Sequence, residues 1–578
     1  MWGILFITLS NLFRIFQPQL IREALDKIVA YINSSPEVKL NSQLSSDLMY
    51  FGLMVLGCAL LMGVFMYFMR QTIIVMSRLI EYDLRKKIFN HYLQLDLAFF
   101  KRNKTGDIMS RISEDVNKVR MYLGPAFLYG FNLITLFIIV IFTMFKVNFW
   151  LSVYTLLPLP ILSFIIYKVS NLIHQRSAQI QTQLGVLTSI AQEGFSGIRI
   201  IKSFHKERDW VQKFDKESQE YSNLSMNLAK VDAMFFPSMF LLIGISTLIT
   251  IYIGGLDVYK GTVTAGNIAE FVIYINMLTW PVSAIGWCAS IIQQAEASQK
   301  RINEFLDTEP DILSGNYKGE DLKNYEIKFD QVNFKYDDES DPVIVDLSMS
   351  IKQGEHVAIV GRTGSGKSTL AELILRMYDI QKGQITLGSK NLPEWNLSNL
   401  RSTISYVPQD VFLFSDTIRN NIKFCLAEDQ NISDEELMKL LESVGMDQEV
   451  LKFPEGLDTI LGERGITLSG GQRQRLGIAR TYARDTPIYL LDDCLSAVDA
   501  GTEEKIVQNL HQRFDQKTLI LITHRISQTK DMDKIYVLEN GLLVEQGTYE
   551  ELIENKGVFY KMHLLESAIK KEKSVELN

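Results

Sequence analysis

The sequence is poor in cysteine and has no excess of positive charge. Its four cysteines, Cys58, Cys288, Cys425 and Cys494, are scattered along 578 residues without paired spacing. Such spacing indicates neither a disulfide framework nor a metal site. The formal net charge of −8 argues against a nucleic-acid-binding protein, because such proteins are usually basic.

Long apolar runs fill the first half of the chain, whereas the second half has the composition of a soluble α/β domain. The opening residues, MWGILFITLSNLF, lack the basic start and the small-residue cleavage site of a secretory signal, so we expect this run to remain in the mature protein. Six stretches are long and apolar enough to cross roughly 30 Å of hydrocarbon as helices. They are residues 3–30, 49–77, 123–146, 149–171, 233–256 and 268–296.

Lysine and arginine are abundant in the connections after the second and fourth predicted spans and sparse in the other connections. By the positive-inside rule, the two basic connections and both termini face the cytoplasm. Each basic connection contains a short turn-and-helix pattern, FFKRNKTGDIMSRI near residue 105 and EGFSGIRIIKSF near residue 198. Heptad-like apolar spacing predicts that the membrane helices extend well past the bilayer; it involves Leu79, Tyr82, Ile88, Tyr92 and Leu95.

A glycine-rich motif in the second half predicts a phosphate-binding loop. The segment HVAIVGRTGSGKSTL joins an apolar strand to a helix start and places Gly361, Gly366, Lys367 and Ser368 at the spacing of the pattern G-x4-GK[ST]. Glycines let backbone N–H groups approach a phosphate, and the helix N-terminus adds its dipole. Lys367 supplies charge at the terminal phosphates, and the Ser368 hydroxyl is a ligand for Mg²⁺.

Two adjacent carboxylates end another apolar run, IYLLDD. We expect Asp492 to close a strand that lies beside the strand of the phosphate loop in a parallel sheet, where its carboxylate holds Mg²⁺. Asp493 follows at a position from which a carboxylate orients or deprotonates the attacking water. The two acids therefore have different predicted roles.

The segment LSGGQRQR lies between these two motifs, and its Ser-Gly-Gly turn at a helix start suits an anion. With this segment, essentially the whole chain resembles ATP-binding cassette (ABC) exporter half-transporters, in which six membrane spans precede one cassette. The resemblance implies an α-helical transmembrane domain with long cytoplasmic extensions at residues 1–305, a linker at 306–325, and an α/β nucleotide-binding domain with a helical subdomain at 326–578. It also implies that the turns near residues 105 and 198 are coupling helices.

The resemblance gives individual residues a role in binding and hydrolysing ATP. Tyr336 resembles the aromatic residue that stacks on adenine. Gln409 resembles the glutamine that contacts Mg²⁺ and water, and His524 resembles the histidine that touches the γ-phosphate, so both join Asp493 in the implied catalytic set. The implied magnesium ligands are Ser368, Gln409 and Asp492. The implied ATP-binding loop consists of Gly361, Thr363, Gly364, Ser365, Gly366, Lys367, Ser368 and Thr369.

Other motifs resemble family segments that act across a dimer. The signature, which contacts ATP held by the opposite subunit, is formed by Leu468, Ser469, Gly470, Gly471 and Gln472. Ser496 and Asp499, in the segment SAVD, resemble the loop that crosses the dimer interface. Gly462–Gly465, with the sequence GERG, resembles the cross-linking loop that precedes the signature. The implied partner is a second half-transporter.

Asp493 departs from the family pattern, which has glutamate here. Its carboxylate is one methylene shorter, so it is withdrawn by roughly an ångström from the water, whereas proton transfer needs contact at about 2.6–3.2 Å. In one interpretation, the chain is a heterodimer subunit whose own site hydrolyses ATP slowly and whose signature completes the site of a partner that carries glutamate. In another, it forms a homodimer with Asp493 as a working base. Family analogy favours the first.

A third interpretation, an ATP-gated channel or regulator, predicts a charged pore lining and a regulatory insertion, and the sequence has neither. For an exporter, we expect drug-like or lipid-like amphipathic cargo and a location in the inner membrane of a bacterium. Arg14 lies in the first span, where charge is costly; it is a candidate for pairing with Glu270, for contact with an anionic group of the cargo, or for snorkelling to a polar lining. Trp280 is a second candidate, at an expected interruption of the sixth span by Trp280–Pro281.

Overall fold

The computed structural model describes most of the chain, and the chain forms two compact units. The described residues are 2–34, 42–320, 322, 324–337, 341–427, 430, 432–462, 468–514 and 516–576. One unit comprises Met1–Leu93 and Thr105–Thr308, and the other comprises Gln94–Lys104 and Glu309–Asn578. A short segment of the first basic connection therefore packs with the second half of the chain.

Nearly all of the described residues between positions 2 and 306 are helical. They are α1 (Trp2–Ser34), α2 (Ser42–Gln94), α3 (Leu97–Arg102), α4 (Thr105–Ser110), α5 (Val116–Met121), α6 (Phe127–Val147), α7 (Phe149–Leu156), α8 (Pro158–Ser196), α9 (Ile198–Ser203), α10 (Glu207–Tyr259) and α11 (Ala265–Leu306). Two π-helical segments, Arg111–Asp115 and Tyr122–Ala126, flank α5. The two turn-and-helix patterns of the basic connections fold as α3 with α4 and as α9.

Five helical stretches within the described residues are long and apolar enough to cross a membrane. They are Trp2–Asn33, Leu44–Gln94, Thr105–Val147, Glu207–Tyr259 and Ala265–Leu306, and they contain five of the six predicted spans. The remaining span, 149–171, falls on the shorter apolar stretch Phe149–Ile161 and on the start of α8. With 53 residues each, α2 and α10 are ~80 Å long, which leaves room for the predicted extensions beyond the hydrocarbon.

Apolar and polar contacts both join the helices of the first unit. Ile15 of α1, Leu136 of α6 and Phe271 of α11 are buried in one apolar cluster. The hydroxyl groups of Thr155 on α7 and Thr250 on α10 lie 2.9 Å apart and are buried. Small residues such as threonine let helices approach closely, and their hydroxyl groups can hydrogen-bond to one another where water is absent.

The charged residues of the first unit pair differently from the expectation based on sequence. Glu270 is fully buried on α11; its Oε2 atom lies 3.2 Å from Nη1 of Arg22, and its Oε1 atom accepts a 2.7 Å hydrogen bond from Tyr274. Of the alternatives for Arg14, the pair with Glu270 is therefore wrong, because Glu270 pairs with Arg22, about two turns further along α1. Arg14 is half-buried and, within the described part of the chain, forms no ion pair or hydrogen bond.

Pro281 does not interrupt the sixth span. Helix α11 continues from Ala265 to Leu306 through Pro281, and the neighbouring Trp280 is exposed on its surface. Proline removes one hydrogen bond from a helix, but the bonds on either side keep this helix continuous, as they do at Pro18 in α1. The predicted interruption is wrong, and contact between Trp280 and cargo stays a prediction.

The described residues of the second unit form two β-sheets. An antiparallel sheet has the order β2 (Ile344–Ile351), β1 (Ile327–Phe334), β4 (Lys382–Leu387), β5 (Lys390–Asn391). The larger sheet has the order β10 (Leu542–Gly547), β9 (Lys534–Glu539), β3 (His356–Gly361), β8 (Thr518–Thr523), β7 (Ile488–Asp492), β6 (Ile404–Val407), and only the pair of β9 and β10 is antiparallel. Because β8 separates β3 from β7, the prediction that these two strands are neighbours is wrong.

Both faces of the larger sheet are buried, as is typical of parallel sheets. Along β3, Val357 and Ile359 point into a cluster shared with the antiparallel sheet, whereas Ala358 and Val360 point into a cluster shared with helices. Besides α3, the described helices of this unit are α12 (Lys367–Ile374), α13 (Leu397–Ser402), α14 (Ile418–Lys423), α15 (Asp434–Ser443), α16 (Asp447–Leu451), α17 (Gly470–Tyr482), α18 (Ala500–Arg513), α19 (Tyr549–Glu554) and α20 (Val558–Glu576).

Candidate functional site

The phosphate loop connects β3 to α12 and depends on glycine at three positions. Gly364 and Gly366 have φ angles of 83° and 95°, a left-handed conformation that side chains other than glycine rarely adopt. A Cβ atom at Gly361 would also lie 2.3 Å from the backbone oxygen of Leu538 in β9. The loop therefore presents bare backbone at the N-terminus of α12, where an anion is stabilised.

Lys367 folds back over this loop. Its Nζ atom donates to the backbone oxygens of Gly361 at 2.9 Å and Arg362 at 2.8 Å. Burial lowers the pKa of its ammonium group, and the nearby carboxylates of Asp493 and Asp492 offset this effect only in part. The positive charge is thus held at the mouth of the loop, where phosphate oxygens would meet it.

Ser368 and Asp492 provide a pair of oxygen ligands that suits a magnesium ion. The Ser368 hydroxyl donates to Oδ1 of Asp492 at 3.1 Å. Asp492 ends β7 and is 2% exposed, and this burial raises the pKa of its carboxyl group to about 6. A divalent cation would stabilise such a buried carboxylate, and hydroxyl and carboxylate oxygens are the ligands that Mg²⁺ takes beside nucleotide phosphates. The residues present therefore fit the ion.

Asp493 bonds to two other predicted site residues. Its φ angle of 44° turns the chain sharply after β7, and its Oδ1 atom lies 2.9 Å from Nδ1 of His524, which follows β8. Its Oδ2 atom accepts a 3.5 Å hydrogen bond from Gln409. The hydrogen bond to Asp493 raises the pKa of the His524 imidazole. Both carboxylate oxygens are thus engaged by side chains of this chain.

Tyr336 lies close to the phosphate loop through its contacts with α12. Its hydroxyl is 2.9 Å from Thr369 Oγ1 and donates to Glu372 Oε2 at 2.9 Å. Burial raises the pKa of the Tyr336 hydroxyl to about 12, so it remains a donor at neutral pH. Its ring meets Tyr378 edge-on, with 5.1 Å between centroids.

These side chains surround one cavity of about 310 Å³, a volume near the lower end of ligand pockets. Its lining is Tyr336, Val343, Thr363, Gly364, Gly366, Lys367, Ser368, Thr369, Gln409, Asp492, Asp493 and His524. Gly361 and Ser365 belong to the same loop, and the Ser365 hydroxyl is buried with no partner in the described residues. Sequence reasoning did not name Val343, which lines the cavity, or Glu372, which accepts from the Tyr336 hydroxyl. Glu372 could have been found because it lies one helical turn after Thr369 on α12, whereas no signal in the sequence points to Val343.

The signature lies apart from this cavity, whose described lining includes none of its residues. Ser469 caps α17, and Gln472 closes a reciprocal capping box with it. This arrangement leaves Gly470 and Gly471 in the first turn of a 13-residue helix, with Leu468 buried before it.

The loop after Asp493 packs against the signature helix. Gln474 of α17 donates to the Ser496 hydroxyl at 3.0 Å and accepts from the backbone N–H of Ala497 at 2.8 Å. Asp499 caps α18 by accepting from the backbone N–H of Thr502 at 3.0 Å, a bond that lowers the pKa of its carboxyl group. Most of the predicted cross-linking loop, residues 463–465, lies outside the described residues.

Comparisons with known proteins follow the division of the chain into two parts. Residues 1–282 match the family model described as ABC transporter transmembrane region, and residues 344–496 match the one described as ABC transporter. A probable multidrug resistance ABC transporter ATP-binding/permease protein of Bacillus subtilis (strain 168) is 32% identical over 563 residues, covering 97% of this chain and 94% of that protein.

Two further proteins share nearly the full length. An ATP-dependent lipid A-core flippase of Syntrophus aciditrophicus (strain SB) is 32% identical over 552 residues, covering 95% of this chain and 88% of the flippase. The solved structure of a bacterial Atm1-family ABC exporter with ATP bound has a TM-score of 0.77 and 22% identity, with 97% of each chain covered. This likeness shows that the folds agree.

Proposed function

Because this chain belongs to the ABC transporter family and joins a transmembrane region to an ATP-binding domain in one polypeptide, we propose that it is one subunit of a heterodimeric exporter. In this proposal, its own ATP site hydrolyses slowly and its partner's site supplies most of the turnover. ATP-driven export itself is supported by relatives named as a multidrug transporter and a lipid A-core flippase.

The geometry around Asp493 is the observation that carries the proposal. At the wall of the phosphate-loop cavity, one carboxylate oxygen of Asp493 is hydrogen-bonded to His524 and the other to Gln409. A general base must reach within about 2.6–3.2 Å of the proton that it takes. A side chain that is one methylene too short and is already held against the wall is poorly placed to reach water beside a γ-phosphate.

The signature argues for a second chain. Its helix start, at Ser469, Gly470 and Gly471, has the bare backbone that an anion needs. Within the described residues, no part of it lines the cavity formed by Lys367 and Asp492. We infer that this helix start completes an ATP site on a partner half-transporter that carries glutamate where this chain has Asp493. The coupling helices α3 and α9 transmit cassette closure to the spans.

The cargo proposal is a hydrophobic or amphipathic compound, drug-like or lipid-like, moved across the inner membrane of a bacterium. The names of the relatives support this class of compound. Arg14 supports it as well, because a half-buried guanidinium on a membrane helix, without a partner in the described part of the chain, is free to meet an anionic headgroup. Trp280 is proposed as an apolar contact.

The decisive experiment compares two inactivated sites in one complex. The chain is co-purified with the product of a neighbouring reading frame of similar plan that has LDE in place of LDD. ATP hydrolysis is then measured after Asp493→Ala in this chain, and separately after replacement of the equivalent glutamate in the partner by alanine. Asp485→Ala, at an exposed aspartate outside the phosphate-loop cavity, is the matched control.

We expect the partner's change to abolish turnover and Asp493→Ala to leave most of it. If Asp493→Ala alone abolishes turnover, the asymmetric proposal is wrong and Asp493 is a working base. Full ATP hydrolysis by the chain purified without any second half-transporter would instead favour a homodimer.

A further inference from the structure

The short helix α3 is held against the ATP-binding unit by both of its ends. Asp96 caps it by accepting from the backbone N–H of Phe99 at 2.9 Å, and the other oxygen of Asp96 accepts from the backbone N–H of Asp311 at 2.9 Å. At the far end, Arg102 forms a 3.1 Å ion pair with Asp311. Leu97 packs against the apolar cluster that lies beneath the antiparallel sheet. Helix α3 is therefore attached to the rest of this unit by hydrogen bonds, an ion pair and an apolar contact.

Lys101 of α3 reaches the aromatic residue expected to stack on adenine. Its Nζ atom lies 4.7 Å from the centroid of the Tyr336 ring and 5.1 Å from that of Tyr378, within the range of a cation–π contact. The same atom lies 3.2 Å from Glu372 Oε1. Partial burial disfavours the charged form, but the contacts with Tyr378 and Glu372 outweigh it and raise the pKa of the Lys101 ammonium group. Lys101 therefore stays charged at neutral pH.

Tyr336 lies between two cavities. Its ring borders the 310 Å³ cavity of the phosphate loop and also a second cavity of about 570 Å³, which Lys101 lines. Glu372 connects the two sides, since one carboxylate oxygen binds Lys101 and the other accepts from the Tyr336 hydroxyl. The orientation of the Tyr336 ring thus depends on α12 through its hydroxyl and on α3 through Lys101.

We propose that Lys101 is a positioning residue for ATP: it holds the Tyr336 ring for the adenine base and links occupancy of that ring to helix α3. The inference rests on the proposed binding of ATP at Tyr336. A cation beside the ring leaves most of the apolar ring surface accessible but restricts the rotation of the ring. The ring is therefore already oriented when the base stacks on it. Conversely, a base that stacks on Tyr336 restricts Lys101, and with it the end of α3.

The test measures how well competitors displace a photoreactive ATP analogue from the full-length chain, either alone or with its co-purified partner. Photolabelling identifies the labelled chain, so it reports on this site even in a complex. ATP and inorganic tripolyphosphate are the two competitors, because only ATP has a base. For Lys101→Met, we expect about three- to tenfold weaker displacement by ATP, the size of one cation–π contact, and unchanged displacement by tripolyphosphate.

Three further variants make the outcome decisive. Lys101→Arg keeps the cation and should restore displacement by ATP to within about twofold of the parent. Arg102→Gln removes the neighbouring cation; its ion pair with Asp311 is exposed and adds little to the attachment of α3, which Asp96 and Leu97 maintain, so displacement by both competitors should be unchanged. Tyr336→Ala should weaken displacement by ATP at least as much as Lys101→Met.

The results separate this inference from the proposed function. If Tyr336→Ala weakens ATP and Lys101→Met does not, the role of Lys101 is refuted while stacking on Tyr336 stands. If neither variant weakens ATP, stacking itself is refuted, and the role of Lys101 with it. Equal weakening of ATP and tripolyphosphate by Lys101→Met would show general damage to the site and would also overturn the inference.

Discussion

Replacement of Asp493 by glutamate should accelerate ATP hydrolysis at the site of this chain. The change adds one C–C bond, about 1.5 Å, to a side chain whose carboxylate now lies 2.9 Å from His524 and 3.5 Å from Gln409. A misplacement of about 1 Å at a reacting group costs on the order of a hundredfold in rate. Recovery of most of that distance should therefore raise turnover by about ten- to a hundredfold.

The assay must isolate this site from that of the proposed partner half-transporter. In the proposed heterodimer, the glutamate expected in the partner is replaced by glutamine, so that phosphate release reports on the site with Asp493. Asp493→Asn is the matched control, because it keeps the length of the side chain and removes its charge. Photolabelling with an ATP analogue checks that each variant still binds nucleotide.

Two outcomes would refute the reasoning. If Asp493→Glu binds ATP normally and hydrolyses it no faster than the parent, reach does not limit this site. If Asp493→Asn is as fast as Asp493→Glu, the carboxylate takes no part in activating water, and the proposed base is wrong.

Three further predictions concern other parts of the chain. Lys367→Ala should weaken photolabelling by ATP at least about tenfold, because it removes the cation at the loop, whereas Lys367→Arg should retain part of the signal. Glu270→Gln should destabilise the detergent-solubilised chain by about 3 kcal/mol in thermal unfolding, since it leaves Arg22 without its buried partner. Gly471→Ala should lower the melting temperature, because its Cβ would lie 2.7 Å from a backbone oxygen; Gly470→Ala, at 3.5 Å from the nearest side chain, should not.

Each of these has a clear contrary result. Unchanged photolabelling in Lys367→Ala would remove Lys367 from the ATP site. If Glu270→Gln melts like the parent, the ion pair with Arg22 contributes nothing to stability. Equal melting of Gly471→Ala and Gly470→Ala would mean that the loop near Ser496 moves aside without cost.

The residues of the candidate site could be named from sequence because their chemistry is encoded locally. The phosphate loop is a continuous run in which glycine, lysine and serine have set spacings, and Asp492 and Asp493 directly follow an apolar strand. Residues at the carboxyl ends of parallel strands meet at one edge of a sheet. His524 and Asp493 are therefore brought together once their strands, β8 and β7, are adjacent.

Long-range pairings could not be named in the same way. Glu270 and Arg22 lie 248 residues apart, and nothing in the local sequence distinguishes Arg22 from Arg14 as the partner. Proline in a helical pattern usually predicts a break, yet α11 passes through Pro281 without one. The order of the strands likewise depends on how the faces of the sheet pack against the helices and the second sheet. The parallel neighbour of β3 could therefore not be chosen from the strand sequences alone.

The sequence by itself determined the class of protein and singled out the candidate phosphate loop, the adjacent acids Asp492 and Asp493 and the glycines of the signature, because each is a local pattern with a local chemical reason. Only the tertiary structure decided that β8 lies between β3 and β7, that Asp493 is held by His524 and Gln409, and that Lys101 packs on Tyr336. Such contacts join segments far apart in the chain, and they are selected by the burial of whole faces, which no short stretch of residues encodes.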